Sequence, residues 1–312
     1  MPALVLALGY LLIATSAMAE SQFAGSSVSL RHAVAAQGLD RSADLTWNPY
    51  AAAILSISPT YALPAKLSVS ASWSFEAEYT QRDTEPSQFN YGDPSLTLAR
   101  NPWKHKASGL AVDGSLTLLA GLSPGSRAKT RYGAANLGLG VSRKFAVQKG
   151  LSLRWGLSAT AYGHGATHGR SGQSIYSACA GPIALDSMAS NCAQELILHN
   201  GSANARNAIS THLTASIKLP KTLGLRARMG GSWMNTYSAD LSDPSISYSG
   251  PQGTATRYAL FSDFRLSAAP HKRIGLALGL QTGHPQLGAD GTYRTPFVNR
   301  YSNLYFDLTA RY

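Results

Sequence analysis

The sequence predicts an all-β fold, a transmembrane antiparallel β-barrel of twelve strands within a range of ten to fourteen, following a cleaved signal peptide. Three observations predict it. Runs of strict apolar–polar alternation recur along the chain, and a period of two is the signature of a strand between two different environments. The connections between these runs alternate short and long, as an up-and-down barrel with turns on one side of a membrane and loops on the other requires. Charged residues are 14% of the chain, well under the roughly 25% of soluble domains.

The first nineteen residues, "MPALVLALGYLLIATSAMA", have the form of a secretory signal. Ala3 to Ile13 is a short apolar core, and Ala17-Met18-Ala19 is a small-x-small cleavage pattern that would leave Glu20 first. No Lys or Arg precedes the core, which departs from the usual pattern. The run is shorter than the ~18 residues of a spanning helix, and no comparable stretch follows it. Residues 20–312 contain no linker, low-complexity tract or long-period repeat and are expected to form one barrel domain.

Twelve segments alternate, near 26–36, 51–62, 66–80, 94–102, 109–121, 132–145, 150–163, 208–219, 223–238, 257–269, 273–283 and 301–312. The pattern is least regular in the first, second and fourth. In the third, Leu67, Val69, Ala71, Trp73, Phe75, Ala77 and Tyr79 oppose four serines, Glu76 and Glu78. The seventh opposes Leu151, Leu153, Trp155, Leu157 and Ala159 to Arg154, Ser158 and Thr160. The eighth sets Ile209, Leu213, Ala215 and Ile217 against His212, Thr214 and Lys218, and the ninth sets Leu225, Ala227, Met229 and Trp233 against Arg226 and Arg228. Phe261 blurs the tenth, whose polar face is fixed by Asp263 and Arg265. In the eleventh, Gly275, Ala277 and Gly279 leave room on the inner side. The twelfth runs to the last residue, with Leu304, Phe306, Leu308, Ala310 and Tyr312 opposed by Asn303, Tyr305, Asp307, Thr309 and Arg311.

Short connections such as "LPAK", "FAVQKG", "LPKTLG" and "APHKRI" follow the even segments, and long ones follow the odd. The longest is an external loop at about 164–207. Aromatics at segment ends (Tyr61, Tyr79, Tyr132, Tyr258, Tyr301, Tyr312) suit interfacial girdles. Of the sixteen acidic residues, ten fall in the long loops, five on inward faces, and none in a short turn. The short turns instead carry Lys66, Lys104, Lys106, Lys149, Lys221, Lys272 and Arg273, which would snorkel toward an anionic inner leaflet. The net charge of +11 is thereby explained without nucleic acid, and no basic-aromatic binding module is present.

Inside, the alternation places Arg31, Glu76, Glu78, Asp113, Arg154, His212, Lys218, Arg226, Arg228, Asp263, Arg265, Asp307 and Arg311 around a lumen. Ionised groups there must be solvated or paired. Two outcomes follow: a narrow wet pore whose arginine excess favours polar or anionic solutes, or a salt-bridged plug that leaves only the outer loops to function. Cys179 and Cys192 are expected to form a disulfide in an oxidising compartment, closing a loop of about 14 residues for roughly 3 kcal/mol. The loop they pin would cover or constrict the mouth.

No cofactor is implied. His164 and His168 are four apart in "YGHGATHGRSG", as in helical zinc pairs, but the glycines argue against a helix and no third ligand is identifiable, although His199 ends the same loop. A lipid-hydrolysing barrel needs a Ser and a His together on its outer face. His32 is the histidine that points outward, without a Ser–Asn pairing, and "GRSGQS" is not a nucleophile elbow. The loop acids would bridge lipopolysaccharide through divalent cations or stand as solvated loop charge.

The terminal run of Leu304, Phe306, Leu308 and Tyr312 resembles the carboxy-terminal insertion signal of Gram-negative outer-membrane barrels, with Tyr in place of the commoner Phe. That resemblance implies recognition by the barrel-assembly machinery and residence among outer-membrane lipid and lipopolysaccharide. The stretch "YGDPSLTLAR" resembles the strand start of outer-membrane barrels linked to aromatic-compound degradation. It implies uptake of small, hydrophobic molecules, although residues 20–26 are too few for an amino-terminal plug.

Overall fold

A computed structural model describes residues 23, 25–36, 50–79, 89–145, 150–167, 203–238, 256–285, 297 and 302–312. The signal segment 1–19, both cysteines, His168, His199 and most of the 164–207 loop lie outside the described residues.

Among the described residues fourteen strands follow one another: β1 (Ser27–Ala35), β2 (Ala51–Ser58), β3 (Thr60–Leu63), β4 (Leu67–Glu78), β5 (Phe89–Tyr91), β6 (Ser95–Lys104), β7 (Leu110–Ala120), β8 (Arg131–Lys144), β9 (Ser152–His164), β10 (Ala205–Lys218), β11 (Leu223–Thr236), β12 (Thr256–His271), β13 (Ile274–Pro285) and β14 (Asn303–Arg311). Every one pairs antiparallel with its neighbours in a single sheet. Pro59, which has no N–H for the ladder, separates β2 from β3. Both pieces pair with β4, so they form one broken stave. The same holds for β5 and β6, separated at Gly92–Pro94 and both paired with β4. Counted this way the barrel has twelve staves, and each of the twelve alternating segments has become one.

The ring closes where β1 and β14 meet. β1 pairs with β14 from Ser27↔Arg311 to Ala35↔Asn303. Tyr312 then donates its N–H to the Ser26 carbonyl at 3.0 Å and accepts from the Gly25 N–H at 3.1 Å. The strand-like run continues to the last residue because that run forms the seam. Closure leaves no sheet edge, the condition under which strands can cross lipid.

The outer wall carries the apolar half of the alternation. Leu118, Leu137, Leu213 and Leu278 are 50, 55, 54 and 57% exposed, whereas inward Tyr305 and Asp307 are 2 and 5% exposed. This inverts the soluble arrangement, and an apolar surface on this scale is one that lipid covers. Tyr61, Tyr79, Tyr132 and Tyr258 are exposed on the same wall. Tyr79 Oη lies 2.8 Å from Nδ1 of His32, which faces outward as its register required.

Short connections follow β3, β6, β8, β10 and β12, on the side where Ser27 and Arg311 also lie. In the first, Pro64–Leu67, Ala65 and Lys66 take φ of 59° and 60°, and Leu67 N–H bonds the Pro64 carbonyl at 3.3 Å. Two residues at positive φ match the right-handed twist of the flanking strands. Two local elements were not legible in advance. Phe89–Tyr91 falls in a stretch read as loop but extends the wall of β4. Residues Pro124–Ala128, in the connection after β7, form a short helix capped by Ser123 Oγ, which accepts the Ser126 N–H at 3.1 Å.

Candidate functional site: the charged lumen

Cross-strand pairing fixes which residues share the inner face. Arg154 stands opposite Thr214, Thr214 opposite Arg228, Arg228 opposite Asp263, and Asp263 opposite Gln281, so one row runs around the lumen from β9 to β13. Arg31 pairs with Asp307 across the β1–β14 seam, two residues from Tyr305. These residues therefore share one face of the sheet.

Around this row the charges are matched in two groups. Arg31 grips Asp307 with both edges, Nε to Oδ1 at 2.7 Å and Nη2 to Oδ2 at 3.0 Å, while its Nη1 reaches Gln281 Oε1 at 2.7 Å. Arg265 approaches the same carboxylate at 3.5 Å, and the Arg31 guanidinium lies 4.0 Å above the Tyr305 ring. Asp263 accepts from Arg226 Nη2 on one oxygen at 2.6 Å and from Tyr305 Oη on the other at 2.5 Å. Across the lumen, Arg154 forms a two-pronged pair with Asp113, its Nη2 2.6 Å from Oδ1.

These contacts skip strands, and glycines make that possible. Tyr305 on β14 reaches Asp263 on β12 by lying over Gly279 of β13; a Cβ on Gly279 would sit 2.4 Å from the phenol oxygen. Arg154 on β9 reaches Asp113 on β7 over Gly140 of β8, where a Cβ would sit 2.2 Å from Nη2. His212 lies over Gly156, Phe261 over Gly230, and Arg311 over Gly275. Long side chains are thus laid flat against the wall. The room that Gly275, Ala277 and Gly279 seemed to leave in the lumen is partly taken: Tyr305 and Arg311 occupy the two glycine sockets, and Ala277 is buried.

Arg228 is the exception to the matching. It faces Asp263 in register, but both Asp263 oxygens are already engaged. Its guanidinium packs against the Phe261 ring, 5.3 Å from the centroid, and makes a long 3.4 Å contact with His212 Nδ1. Its Nε is buried with no hydrogen-bond partner among the described residues.

The other expected lumen residues lie apart from this belt. Lys218 and Arg311 are exposed at the short-turn end, and Glu76 and Glu78 face inward near the opposite end of β4, across from Ile54 and Ala52. Tyr305, Gln281, Phe261 and the sockets at Gly140, Gly156 and Gly230 had not been singled out as parts of the site. The signal for them was available only as polar-face or small residues on the same strands.

At the long-loop end a second knot holds the connection after β7. Asp93 accepts from Ser123 N–H at 2.7 Å, Ser126 Oγ at 2.5 Å and Arg131 Nη2 at 2.6 Å, and Ser126 is fully buried. Burial would raise the Asp93 pKa, but the hydrogen bonds from Ser126 and Ser123 and the Arg131 charge prevail and hold it below the ordinary value. This loop acid is tied inward, unlike the solvated or cation-bridging loop charge expected. The Lys129 ammonium nearby is lowered by burial and by the Arg131 and Arg257 charges. His164 Nδ1 donates to the Lys129 carbonyl at 2.8 Å. No group of three or more metal-ligating residues occurs among the described residues.

No protein family and no curated protein matches the sequence. Solved structures do. The COG4313 outer membrane channel from Pseudomonas putida F1 superposes with a TM-score of 0.55 at 11% identity, over 93% of this chain and 96% of that one. The KdgM porin gives a TM-score of 0.46 at 9% identity over 92% and 99%, and the NanC porin 0.48 at 7% over 92% and 98%. The likeness is one of fold, carried by the first of these. The chain is an outer-membrane β-barrel, and its apolar outer wall belongs in that membrane.

Proposed function

We propose that the barrel is a passive channel for small polar and anionic solutes. One observation carries this reading. The inward side chains of Arg154 and Arg226, in the short-turn half of the wall, remain 41 and 42% exposed while engaged with Asp113 and Asp263. That exposure supports water-sized space beside the charged belt, whose long side chains lie flat over the glycine sockets. Transport would be diffusion down a gradient, with no moving part or cofactor required. Five guanidiniums (Arg31, Arg154, Arg226, Arg228, Arg265) face three carboxylates (Asp113, Asp263, Asp307) in this belt, which supports a preference for anions.

Uptake of hydrophobic molecules, as the "YGDPSLTLAR" resemblance implies, would be served by an apolar lumen; charged and hydroxylated side chains line this belt. The long loop closed by Cys179 and Cys192 is proposed to shape the outer mouth. The terminal run Leu304, Phe306, Leu308 and Tyr312 is proposed as the segment read by the assembly machinery, since it also forms the closing seam.

Swelling of proteoliposomes in isosmotic solutes tests the reading. Vesicles containing folded protein should swell faster in small neutral sugars than protein-free vesicles do, and faster with carboxylates than with amines of equal size. Rates equal to those of protein-free vesicles would refute a channel.

A further inference from the structure

The unmatched guanidinium in the belt has a specific consequence. Arg228 carries five N–H donors. One makes the long contact with His212 Nδ1, Nε finds no acceptor among the described residues, and the facing Asp263 carboxylate already takes Tyr305 on one oxygen and Arg226 on the other. A partly buried guanidinium without a carboxylate is costly unless something else accepts its hydrogen bonds.

The surroundings complete a donor set. Because Arg228 donates to Nδ1, a neutral His212 ring carries its proton on Nε2, giving a second donor. That ring is held flat over Gly156, where a Cβ would lie 2.2 Å from Cε1. Phe261 braces both groups, 5.3 Å from the guanidinium and 6.4 Å from the imidazole centroid, and is itself seated over Gly230. Thr214 stands in register between Arg154 and Arg228 and offers a hydroxyl between two positive charges. The nearest carboxylates, Asp263 and Asp113, are each engaged by an arginine of their own.

We infer that Arg228, His212 and Thr214 form a binding site for one oxyanion group, a carboxylate or phosphate on a small solute, midway through the lumen. This deepens the channel reading and rests on the lumen being wet. A guanidinium fork presents paired N–H groups at the spacing of two oxyanion oxygens, which an isolated ammonium cannot do. A solute would pause here, displaced by the next, while the Arg31–Asp307 and Arg154–Asp113 pairs hold the wall in shape.

Equilibrium binding tests the site without requiring conduction. Detergent-folded full-length protein is titrated calorimetrically with inorganic phosphate and, separately, with sodium acetate, with sodium chloride as the reference for ionic strength. The expected result is saturable one-to-one binding of phosphate or acetate above the chloride reference. Arg228→Gln should weaken it at least about tenfold, as loss of charge-assisted hydrogen bonds requires. Arg228→Lys, which keeps the charge and protects folding, should recover only part of the affinity. Lys272→Gln, in a short turn, should leave it unchanged. The relative affinities for phosphate and acetate identify which oxyanion the site prefers. No binding above chloride, or equal affinity in wild type and Arg228→Gln, overturns the inference. Binding in a barrel that does not conduct would support the site while refuting the channel; conduction without binding would do the reverse.

Discussion

Tyr305 Oη lies 2.5 Å from Asp263 Oδ1 although a whole strand separates them, and the phenol crosses that strand over Gly279. Together with Arg226 it engages both oxygens of the carboxylate that faces Arg228, whose guanidinium lies beside His212. Tyr305→Phe keeps the ring and its stacking with Arg31 but returns that oxygen. The variant should lose about 1–2 kcal/mol of stability, read from the urea midpoint of unfolding, and its anion preference should fall as Arg228 turns to Asp263.

The glycines divide into two kinds, and alanine separates them. At Gly140 an added Cβ meets the mobile tip of Arg154, which can swing aside; at Gly121 it would lie 2.0 Å from the Arg131 carbonyl oxygen, in the backbone. Gly140→Ala should fold with a loss of about 1 kcal/mol and a disturbed Arg154–Asp113 pair. Gly121→Ala should cost about 3 kcal/mol or fail to fold, because backbone cannot yield as a side-chain tip does. Heat-modifiable electrophoretic mobility reports the folded fraction.

The outer wall can be checked by depth. Leu137 faces outward from the middle of β8, and Asn136 beside it faces inward, donating to Thr160 Oγ1 at 2.6 Å. Leu137→Arg should destabilise the barrel by about 2–4 kcal/mol, the cost of a cation at the lipid midplane. Asn136→Arg should cost less than half as much. Equal costs would mean that the two faces are not lipid and lumen.

The knot around Asp93 predicts acid sensitivity. Its folded pKa is depressed, so its contribution to stability is complete above the ordinary aspartate value of about 3.9. That contribution fades as the pH falls through the lower folded value. The urea midpoint of the wild type should therefore drop in acid more steeply than that of Asp93→Asn. At neutral pH, trypsin should cut the variant faster at Arg127, which is exposed on the segment the knot restrains.

Deleting Tyr312 removes the two backbone hydrogen bonds that tie the end of the chain to Gly25 and Ser26. Assembly of the deletion variant in cells, read as the heat-modifiable folded fraction, should fall several-fold. Tyr312→Phe should restore it, since the ring and the backbone bonds are retained.

The staves were legible in the sequence because a lipid–lumen boundary imposes a period of two on every strand. Even the irregular stretches around Pro59 and Pro94 kept that period on each side of the break. The same period sorts the residues of each strand onto two faces. What was not legible is pairing. Whether Arg31 meets Asp307 or Asp263 depends on the stagger between strands, which alternation within one strand does not encode. Tyr305 was placed on the polar face, yet its reach over Gly279 needs the register of three strands together. Asp93 and Ser126 are 33 positions apart, and nothing local marks them as partners.

The central claim is that the charged belt surrounds a conducting path, and single-channel recording in a planar bilayer tests it most directly. With folded protein inserted across a potassium chloride gradient, the account predicts stable current steps and a reversal potential displaced toward that of chloride. Arg226→Glu with Arg228→Glu should reduce or invert that displacement. A silent bilayer in which insertion is separately confirmed would contradict the account, and it would mean that the lumen is plugged and that function resides in the loops.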